Sequence, residues 1–304
     1  MTPPLVSIVS ICWNRKADIC ESLRRIRDID YPNLEIIVVD NASTDGTCAA
    51  IESDYPEVRL LRMSENGGIA AYNVGFKTAR GEYIVILDDD SFPHRDSLKR
   101  MVRKFENDAS LGVAAFDVRN FYNYDDVKTE AVEEIEEIAG NRETAATARD
   151  YLLAFNGAGA GVRSEVLRQA GYYPEEFFLY WNEQDTAFRI LDMGYGIQFF
   201  SDIVAYHKFS PVNRESRRAP FFYTRNAFWL IWKNYPQGMA LNLTLRLIRD
   251  CFYATAEQKT FVYLQAMLAA FTHIGKLQGK RKPVLPAIAR GLRIPFNLAF
   301  TFYR

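Results

Sequence analysis

The sequence predicts an α/β fold, a mostly parallel sheet flanked by helices, with a helical extension at its C-terminal end. Short runs rich in Val and Ile, such as "LVSIVSICW" at 5–13 and "LEIIVVD" at 34–40, are typical of strands buried on both faces. Segments with apolar residues at helical spacing alternate with these runs, which favours a parallel sheet covered by helices. The last third then changes to apolar segments rich in Tyr, Phe, Trp and Arg, which predict further helices.

The first part of the chain is predicted to form five strands separated by helices. The run at 5–13 is the first strand, and 17–29 follows it as a helix because its apolar residues recur at helical spacing. The strand at 34–40 ends in the polar "NASTDGT", and the strand at 82–88 ends in three aspartates. The same patterns place strands at 58–63 and 111–118 and helices at 47–54, 69–79 and 96–107.

The second part departs from this alternation. Residues 119–150 are acidic and polar, which predicts an inserted segment with a solvated face. The glycine-rich "GAGAGV" at 157–162 follows no strand-to-helix phosphate signature and is a weak signal on its own. The later predicted elements are helices at 164–171 and 183–194, a strand at 197–207, and helices at 220–235, 240–254 and 258–278. We therefore divide the chain near residue 210 into a first domain, 1–210, and a helical region, 211–304.

The chain is nearly neutral as a whole, but its two parts are oppositely charged. Residues 1–204 carry 21 Lys and Arg against 35 Asp and Glu, whereas residues 205–304 carry 16 against 3. Either the C-terminal third has an anionic partner, or its positive charge complements the acidic part within the fold. The four cysteines lack metal-ligand spacing, and we identify neither a signal peptide nor a membrane span. We therefore expect reduced thiols, a cytoplasmic location and no nucleic-acid partner.

Three consecutive aspartates, Asp88, Asp89 and Asp90, follow the strand at 82–88, at the edge where parallel sheets bind ligands. Alternate residues of an extended segment share a face, so we expect Asp88 and Asp90 to point the same way. Two such carboxylates either hold an elevated pKa or bind a hard cation, and their oxygens suit Mg²⁺ or Mn²⁺ together with substrate phosphates. The alternative is a solvated turn in which Asp90 caps the next helix.

Four motifs in register give these acids a context. They are "VSIVSICWNR" (6–15), "IIVVDNASTDGT" (36–47), "NGGIAAYNVGFKTARGEYIVILDDDSFP" (66–93) and "NGAGAGVRSEVLRQAGYYPEEFFLYWNEQDTAFRILDMGY" (156–195). Together they resemble the family 2 glycosyltransferases, inverting enzymes with the Rossmann-like GT-A fold, over about residues 5–207. The resemblance implies a nucleotide-diphosphate sugar as donor and Mg²⁺ or Mn²⁺ as cofactor.

The resemblance also implies roles for individual residues. The residues that match the donor-nucleotide site are Asn14, Arg15, Asp40, Asn66, Gly67, Asn73, Asp88 and Asp89. Asp40 matches the aspartate that contacts the nucleotide base. Asp88 and Asp90 match the outer members of the family's DXD motif, whose first carboxylate lies near the ribose and whose last binds the metal. His207 matches a metal-binding His of many members, although a His at a strand end is usually structural.

The motif "WNEQD" (181–185) contains the two implied catalytic residues, Glu183 and Asp185. Family members commonly have Glu-Asp-x-Asp here, with the second acid as catalytic base, so Glu183 occupies the base position. This chain departs from the pattern, since Asn182 replaces the first acid and the base is Glu rather than Asp. Glu retains the chemistry that a general base needs. Asp185 either anchors the loop or contacts the acceptor, and the alternative for Glu183 is a helix cap.

The expected reaction is transfer of a hexosyl or rhamnosyl group from a UDP- or dTDP-sugar to a glycan hydroxyl. The resemblance favours a polyprenyl-diphosphate-linked acceptor in bacterial surface-polysaccharide synthesis. A sugar nucleotidyltransferase and a non-catalytic nucleotide-sugar-binding protein are the alternatives. The basic, aromatic-rich segments 221–236, 279–283 and 289–304 predict peripheral contact with the inner face of the cell membrane. They could instead cover the core or form a homodimer interface.

Overall fold

The computed structural model describes residues 2–127, 155–208, 218–291, 296 and 298. Within these residues the centre of the fold is an eight-stranded sheet with the order β3-β2-β1-β4-β7-β6-β8-β5. The strands are β1 Val6–Cys12, β2 Leu34–Asp40, β3 Arg59–Arg62, β4 Tyr83–Leu87, β5 Ser91–Pro93, β6 Leu111–Phe121, β7 Ala160–Arg163 and β8 Gly196–Lys208. The predicted α/β class is confirmed.

Helices cover both faces of this sheet. They are α1 Lys16–Ile26, α2 Thr47–Asp54, α3 Ala70–Thr78, α4 Ser97–Asn107, α5 Ser164–Gln169, α6 Asn182–Asp192, α7 Arg218–Asn234, α8 Gln237–Gln258, α9 Val262–Thr272 and α10 Pro286–Gly291. Alternate residues of β1 join different cores, because Ile8 packs in one apolar cluster with α1 and α4 whereas Val9 packs in another with α3 and α5. A strand buried on both faces explains why its sequence is an unbroken apolar run.

The parallel half of the sheet gathers three strand ends at one edge. β1 pairs in parallel with β2 and with β4, so that Cys12 lies opposite Asp40 and Ser10 lies opposite Leu87. The polar residues that follow these strands therefore emerge side by side. This is the edge at which α/β sheets bind ligands.

The other half of the sheet is mixed, and two of its strands were not predicted. β7 pairs antiparallel with β4 and β6, and the three-residue β5 pairs antiparallel with β8. β7 begins inside the glycine-rich segment 157–162, whose small residues hide the usual strand pattern. A Cβ on Gly161 would collide with Sδ of Met101 on α4, so a helix packs where a side chain would otherwise stand.

β6 and β8 are longer than the other strands, and their parallel pairing contains an irregularity. Phe116 lies opposite Phe200, but the next pair is Asp117 with Val204, so that residues 201–203 have no partner in the ladder. Beyond this bulge the pairing is regular to Phe121. The predicted insertion at 119–150 therefore begins inside β6. From residue 128 onward it lies outside the described residues, as does the predicted boundary near 210.

The C-terminal helices share a core with the segment around α6. Phe228, Trp229 and Ile231 of α7 are at most 1% exposed and belong to one apolar cluster with Phe177 and Phe188. Phe228 and Trp229 within 221–236 thus fill this core, whereas contact of the C-terminal region with a membrane stays a prediction. None of the helices in the described part of the chain combines the length and the hydropathy needed to cross a bilayer.

Candidate functional site

The loops after β1 and β2 are joined by a set of short hydrogen bonds. The backbone N–H of Asn14 donates to Oγ of Ser43 at 2.9 Å, and Oδ1 of Asn14 accepts from the backbone N–H of Thr44 at 2.7 Å. Asn14 has a φ of 53°, in the left-handed region that Asn tolerates better than most residues. Oδ2 of the buried Asp40 accepts the backbone N–H of Ser43 at 2.9 Å. Asn14 and Asp40 therefore fix the shape of the loop at the end of β2.

A second polar link joins β2 to the turn before α3. The Asn41 side chain donates to the carbonyl of Gly68 at 3.0 Å and accepts the N–H of Gly67 at 2.9 Å. Asn66 closes the turn from within, because its Oδ1 accepts the N–H of Gly68 at 2.9 Å. Asn66 and Gly67 lie beside the loop that follows β2, as the resemblance implies. Asn41 was not singled out, although it directly follows Asp40 in the quoted motif.

Asn73 lies in a different environment from the one implied for it. Its amide donates to the carbonyl of Tyr173 at 2.9 Å, and its Oδ1 accepts the N–H of Tyr173 at 2.9 Å. The residue is buried. Its polar atoms thus join α3 to the segment before α6, and a direct contact between Asn73 and the donor does not fit this arrangement.

Asp88, Asp90 and His207 form a compact group of potential metal ligands. One ligand atom from each lies within 4.8 Å of the others. Nε2 of His207 lies 3.3 Å from Oδ1 of Asp90 and 3.9 Å from Oδ2 of Asp88. Asp88 and Asp90 face the same way, as expected, although they belong to a turn rather than to a strand.

The contacts of His207 favour a metal-binding orientation. Nδ1 of His207 lies 2.9 Å from Oδ1 of Asn120, so a proton on Nδ1 leaves the lone pair of Nε2 directed at the two carboxylates. Burial and the charge of Asp90 raise the pKa of Asp88. Burial lowers the pKa of His207, but the neighbouring Asp90 and Asp88 outweigh it and raise that pKa overall. The two carboxylates repel each other, and both attract the imidazole of His207. A divalent cation such as Mg²⁺ or Mn²⁺ would relieve the repulsion and suits this set of ligands.

Arg15 lies against the outer side of this group. Its guanidinium is 2.7 Å from Oδ2 of Asp90, 3.3 Å from Oδ1 of Asp89 and 2.8 Å from Oδ2 of Asp18. Asp90 thus uses one oxygen toward Arg15 and the other toward His207. Lys208, the residue after His207, binds the other oxygen of Asp18 at 2.7 Å. Asp89 therefore points to Arg15 rather than to the group of potential metal ligands. Asp18 and Lys208 also belong to the site, and the sequence analysis did not identify them.

Glu183 lies in the first turn of α6, across a narrow space from Asp88. A Cβ on Gly157 would lie 2.6 Å from Oε1 of Glu183 and 3.8 Å from Oδ1 of Asp88, so both carboxylates border the space that a side chain at position 157 would fill. Burial raises the pKa of Glu183 to about 7, and the charge of Asp88 acts in the same direction. The Asn182 amide donates to Oε1 of Glu183 at 2.9 Å. A carboxylate with such a pKa is suited to accept a proton near neutral pH.

Asp185 is placed differently from Glu183, although only one residue lies between them. It is 0% exposed, and its carboxylate contacts Arg189 at 2.8 Å, Lys233 at 3.1 Å and the Asn234 amide at 2.8 Å. Burial alone would raise the pKa of Asp185, but Arg189 and Lys233 hold it below the ordinary value. A group enclosed in this way cannot contact an acceptor. Of the two interpretations of Asp185, the anchor fits the structure and the acceptor contact does not.

Comparisons with known proteins point to one family. Residues 7–171, more than half of the chain, match "Glycosyl transferase family 2". The chain is 34% identical over 127 residues to the glycosyltransferase GlyG of Streptococcus pneumoniae serotype 4, covering 40% of each protein. It is 31% identical over 103 residues to TuaG of Bacillus subtilis, a putative teichuronic acid biosynthesis glycosyltransferase, covering 33% of this chain and 41% of TuaG.

The fold has counterparts among solved structures. The mannosyltransferase PcManGT from Pyrobaculum calidifontis, solved in complex with GDP-Man and Mn²⁺, superposes with a TM-score of 0.57 at 23% identity. The match covers 94% of this chain and 78% of PcManGT. The mixed sheet with flanking helices is therefore the GT-A fold.

Proposed function

Because the chain belongs to glycosyl transferase family 2, we propose that it transfers a sugar, with inversion, from a nucleotide-diphosphate sugar to a hydroxyl of a glycan. The observation that carries this proposal is that Glu183 and Asp88, a member of the Asp88, Asp90 and His207 group, border the same space beside Gly157. A base and a cation-binding group that face one space can act on the two ends of a single reacting centre.

The donor lies over the edge formed by the ends of β1, β2 and β4. The loop held by Asn14 and Asp40 forms its nucleotide side, and the turn of Asn66 and Gly67 borders it. Asp88, Asp90 and His207 would hold Mg²⁺ or Mn²⁺, which would supply positive charge beside the diphosphate leaving group. Arg15 orients Asp90 and adds a second positive charge beside the same anion. We infer a UDP- or dTDP-linked hexose or rhamnose from the resemblance described above.

Glu183 removes the proton of the acceptor hydroxyl while the hydroxyl oxygen attacks the anomeric carbon from the side opposite the diphosphate. Its raised pKa keeps it basic enough for this step, and Asn182 holds one carboxylate oxygen in place. Asp185 acts through α6 rather than on the substrate. By binding Lys233 and Asn234 of α7, it ties the helix that carries Glu183 to the C-terminal region.

The acceptor in this proposal is a polyprenyl-diphosphate-linked glycan of a bacterial surface polysaccharide. The name of TuaG supports the polysaccharide context. The reaction then takes place at the inner face of the cell membrane, with residues 1–210 as the catalytic part and 211–304 as the part that contacts the membrane or a second subunit. This assignment extends beyond the portion of TuaG and GlyG that the chain matches.

A panel of nucleotide sugars tests the proposal. Thermal stabilisation should appear with one or a few of them and should depend on Mn²⁺ or Mg²⁺. GDP-mannose belongs in the panel because PcManGT was solved with it. Turnover of the stabilising sugar should release a nucleoside diphosphate. Release of pyrophosphate would instead indicate a nucleotidyltransferase, and tight binding without any turnover would indicate a binding protein.

A further inference from the structure

The outer surface of α8 carries an apolar stripe with arginines along one side. Leu241, Leu245 and Phe252 are 63%, 59% and 56% exposed. At about 100° of rotation per residue, these three side chains fall within an arc of roughly 40° on the helix. Arg249 and then Arg246 follow around the same exposed side. The apolar residues and the arginines thus occupy adjacent strips of one face of α8, and no described element covers this face.

The neighbouring helix α9 presents an outer face without any charge. Phe261, at its start, is 72% exposed and Leu268 is 63% exposed. No Lys, Arg, Asp or Glu occurs from residue 260 to residue 275. Exposed side chains of this size normally mark an interaction surface when they lie together. α8 and α9 pack against each other and against α7, whose Phe228 and Trp229 are buried in the apolar core, so the exposed side chains of α8 and α9 form a surface distinct from that core.

The charge around these faces distinguishes between possible partners. Residues 237–291 contain eight Lys and Arg against two Asp and Glu. A second copy of the chain would bring the same excess of positive charge against itself. Arg249 bonds Asp250 at 2.7 Å, but such an exposed pair contributes little and leaves the excess in place. A negatively charged surface with an apolar layer beneath it complements both properties.

We propose that the outer faces of α8 and α9 dock on the surface of an anionic lipid bilayer. The apolar stripe of α8 and the outer face of α9 enter the boundary between headgroups and acyl chains, and Arg246 and Arg249 remain at the anionic headgroups. This proposal rests on the proposed function only in that a lipid-linked acceptor gives the docking a purpose. The lipid contact itself is measurable without any sugar.

The test is flotation of the full-length protein with vesicles of phosphatidylcholine alone or of phosphatidylcholine with phosphatidylglycerol. We expect binding to the anionic vesicles at low salt and a marked loss at about 1 M salt, where the screening length falls to about 3 Å. The double variant Leu245→Glu/Phe252→Glu and the single variant Arg246→Glu should each bind at least roughly tenfold more weakly. Arg59→Glu, an exposed charge reversal on β3, should bind as the wild type does.

Circular dichroism and a thermal melt establish that the variants are folded, and donor turnover with a water-soluble acceptor analogue is measured in parallel. Docking is supported if flotation of the variants falls while this turnover is unchanged. It is also supported by the flotation results alone if no acceptor is found, because the lipid contact is measured without sugar. The proposal is overturned if the wild-type protein does not float with anionic vesicles at low salt. Unchanged flotation of the double variant also overturns it. If the wild type is a homodimer that the double variant dissociates while flotation persists, the face belongs to a second copy of the chain.

Discussion

Asp88 and Glu183 border the same space beside Gly157, and the charge of Asp88 adds to burial in raising the pKa of Glu183 to about 7. A general base acts only in its ionised form. The distance between these two carboxylates therefore influences the pH range in which transfer can occur, in addition to the position of the acceptor.

The pH dependence of transfer follows from this pair. Glu183 is protonated below its raised pKa, so kcat/KM should fall as pH decreases through about 7 and reach a plateau above it. Measurement from about pH 5 to about pH 9 covers both limbs. A rate that stays constant from about pH 9 down to about pH 5 would mean that Glu183 is not the base.

Replacement of Glu183 by Gln should separate binding from chemistry. The amide keeps the shape of the side chain but cannot accept the acceptor's proton, so we expect transfer to fall by roughly 10²-fold or more with donor affinity retained. Gln184→Ala, one residue further along α6, is the matched control and should retain activity. Normal transfer by Glu183→Gln together with loss in Asp185→Asn would reverse the roles given to the two acids.

The metal group predicts selective loss of cation binding. Asp90→Ala and His207→Ala each remove one ligand, so Mn²⁺ affinity measured by calorimetry should decrease strongly in both. Asn120→Ala removes the partner that orients the His207 ring and should weaken Mn²⁺ binding by about 10- to 100-fold. His273→Ala, at an exposed site on the C-terminal helices, serves as the control. Unchanged Mn²⁺ binding in His207→Ala would remove this residue from the ligand set.

Gly157→Ala tests the space between the two carboxylates. The added methyl would lie 2.6 Å from Oε1 of Glu183, closer than carbon and oxygen atoms approach, so the glutamate must move. We expect a large fall in kcat with little change in the melting temperature, because the displaced atom ends a flexible side chain. At Gly238 a Cβ would meet nothing within 4 Å, which makes Gly238→Ala the control for the substitution itself. Full activity in Gly157→Ala would show that this space is not used.

Lys233→Met tests the link between α6 and α7. The substitution removes one of the two cations that contact the buried Asp185 and one that contacts Glu176, so it should lower the free energy of unfolding by about 3 kcal/mol. Because the pKa of Asp185 is depressed in the folded protein, its contribution is present above the unfolded pKa of about 3.9 and is lost at lower pH. Urea titrations at neutral and acidic pH measure both effects, with the exposed Lys276→Met as control. A variant as stable as wild type would indicate that Arg189 and Asn234 compensate Asp185 without Lys233.

The parallel half of the fold could be predicted because each of its strands can be recognised from its own residues and those next to it. β2 and α2 have the predicted bounds, since an apolar run and a polar loop mark both ends. β7 and β5 could not be predicted in the same way. β7 is short and made of small residues that a helix packs against, and β5 is extended only because β8 lies beside it. Both depend on residues far away in the chain.

The site shows the same division. The meeting of Asp88 with Asp90 could be expected from their spacing, and the family resemblance implied that His207 joins them. Nothing in the sequence indicated that Asp185 is enclosed by Lys233 and Asn234, because the segment between them carries no marker of that contact. For a related reason the sequence did not show that Phe228 and Trp229 of α7 are buried. Composition alone does not distinguish an apolar helix that fills a core from one that faces a lipid.

The pairing of β6 with β8 also determines which changes of chain length the site can tolerate. Residues 201–203 stand outside the ladder, so a residue gained or lost there can be absorbed before the site is reached. Between Val204 and His207 every residue has a fixed partner. One residue inserted there would turn the imidazole to the opposite face of the strand and bring Tyr206 opposite Asn120 in its place. Homologues that keep the cation should therefore vary in length within the bulge and keep a constant length beyond it.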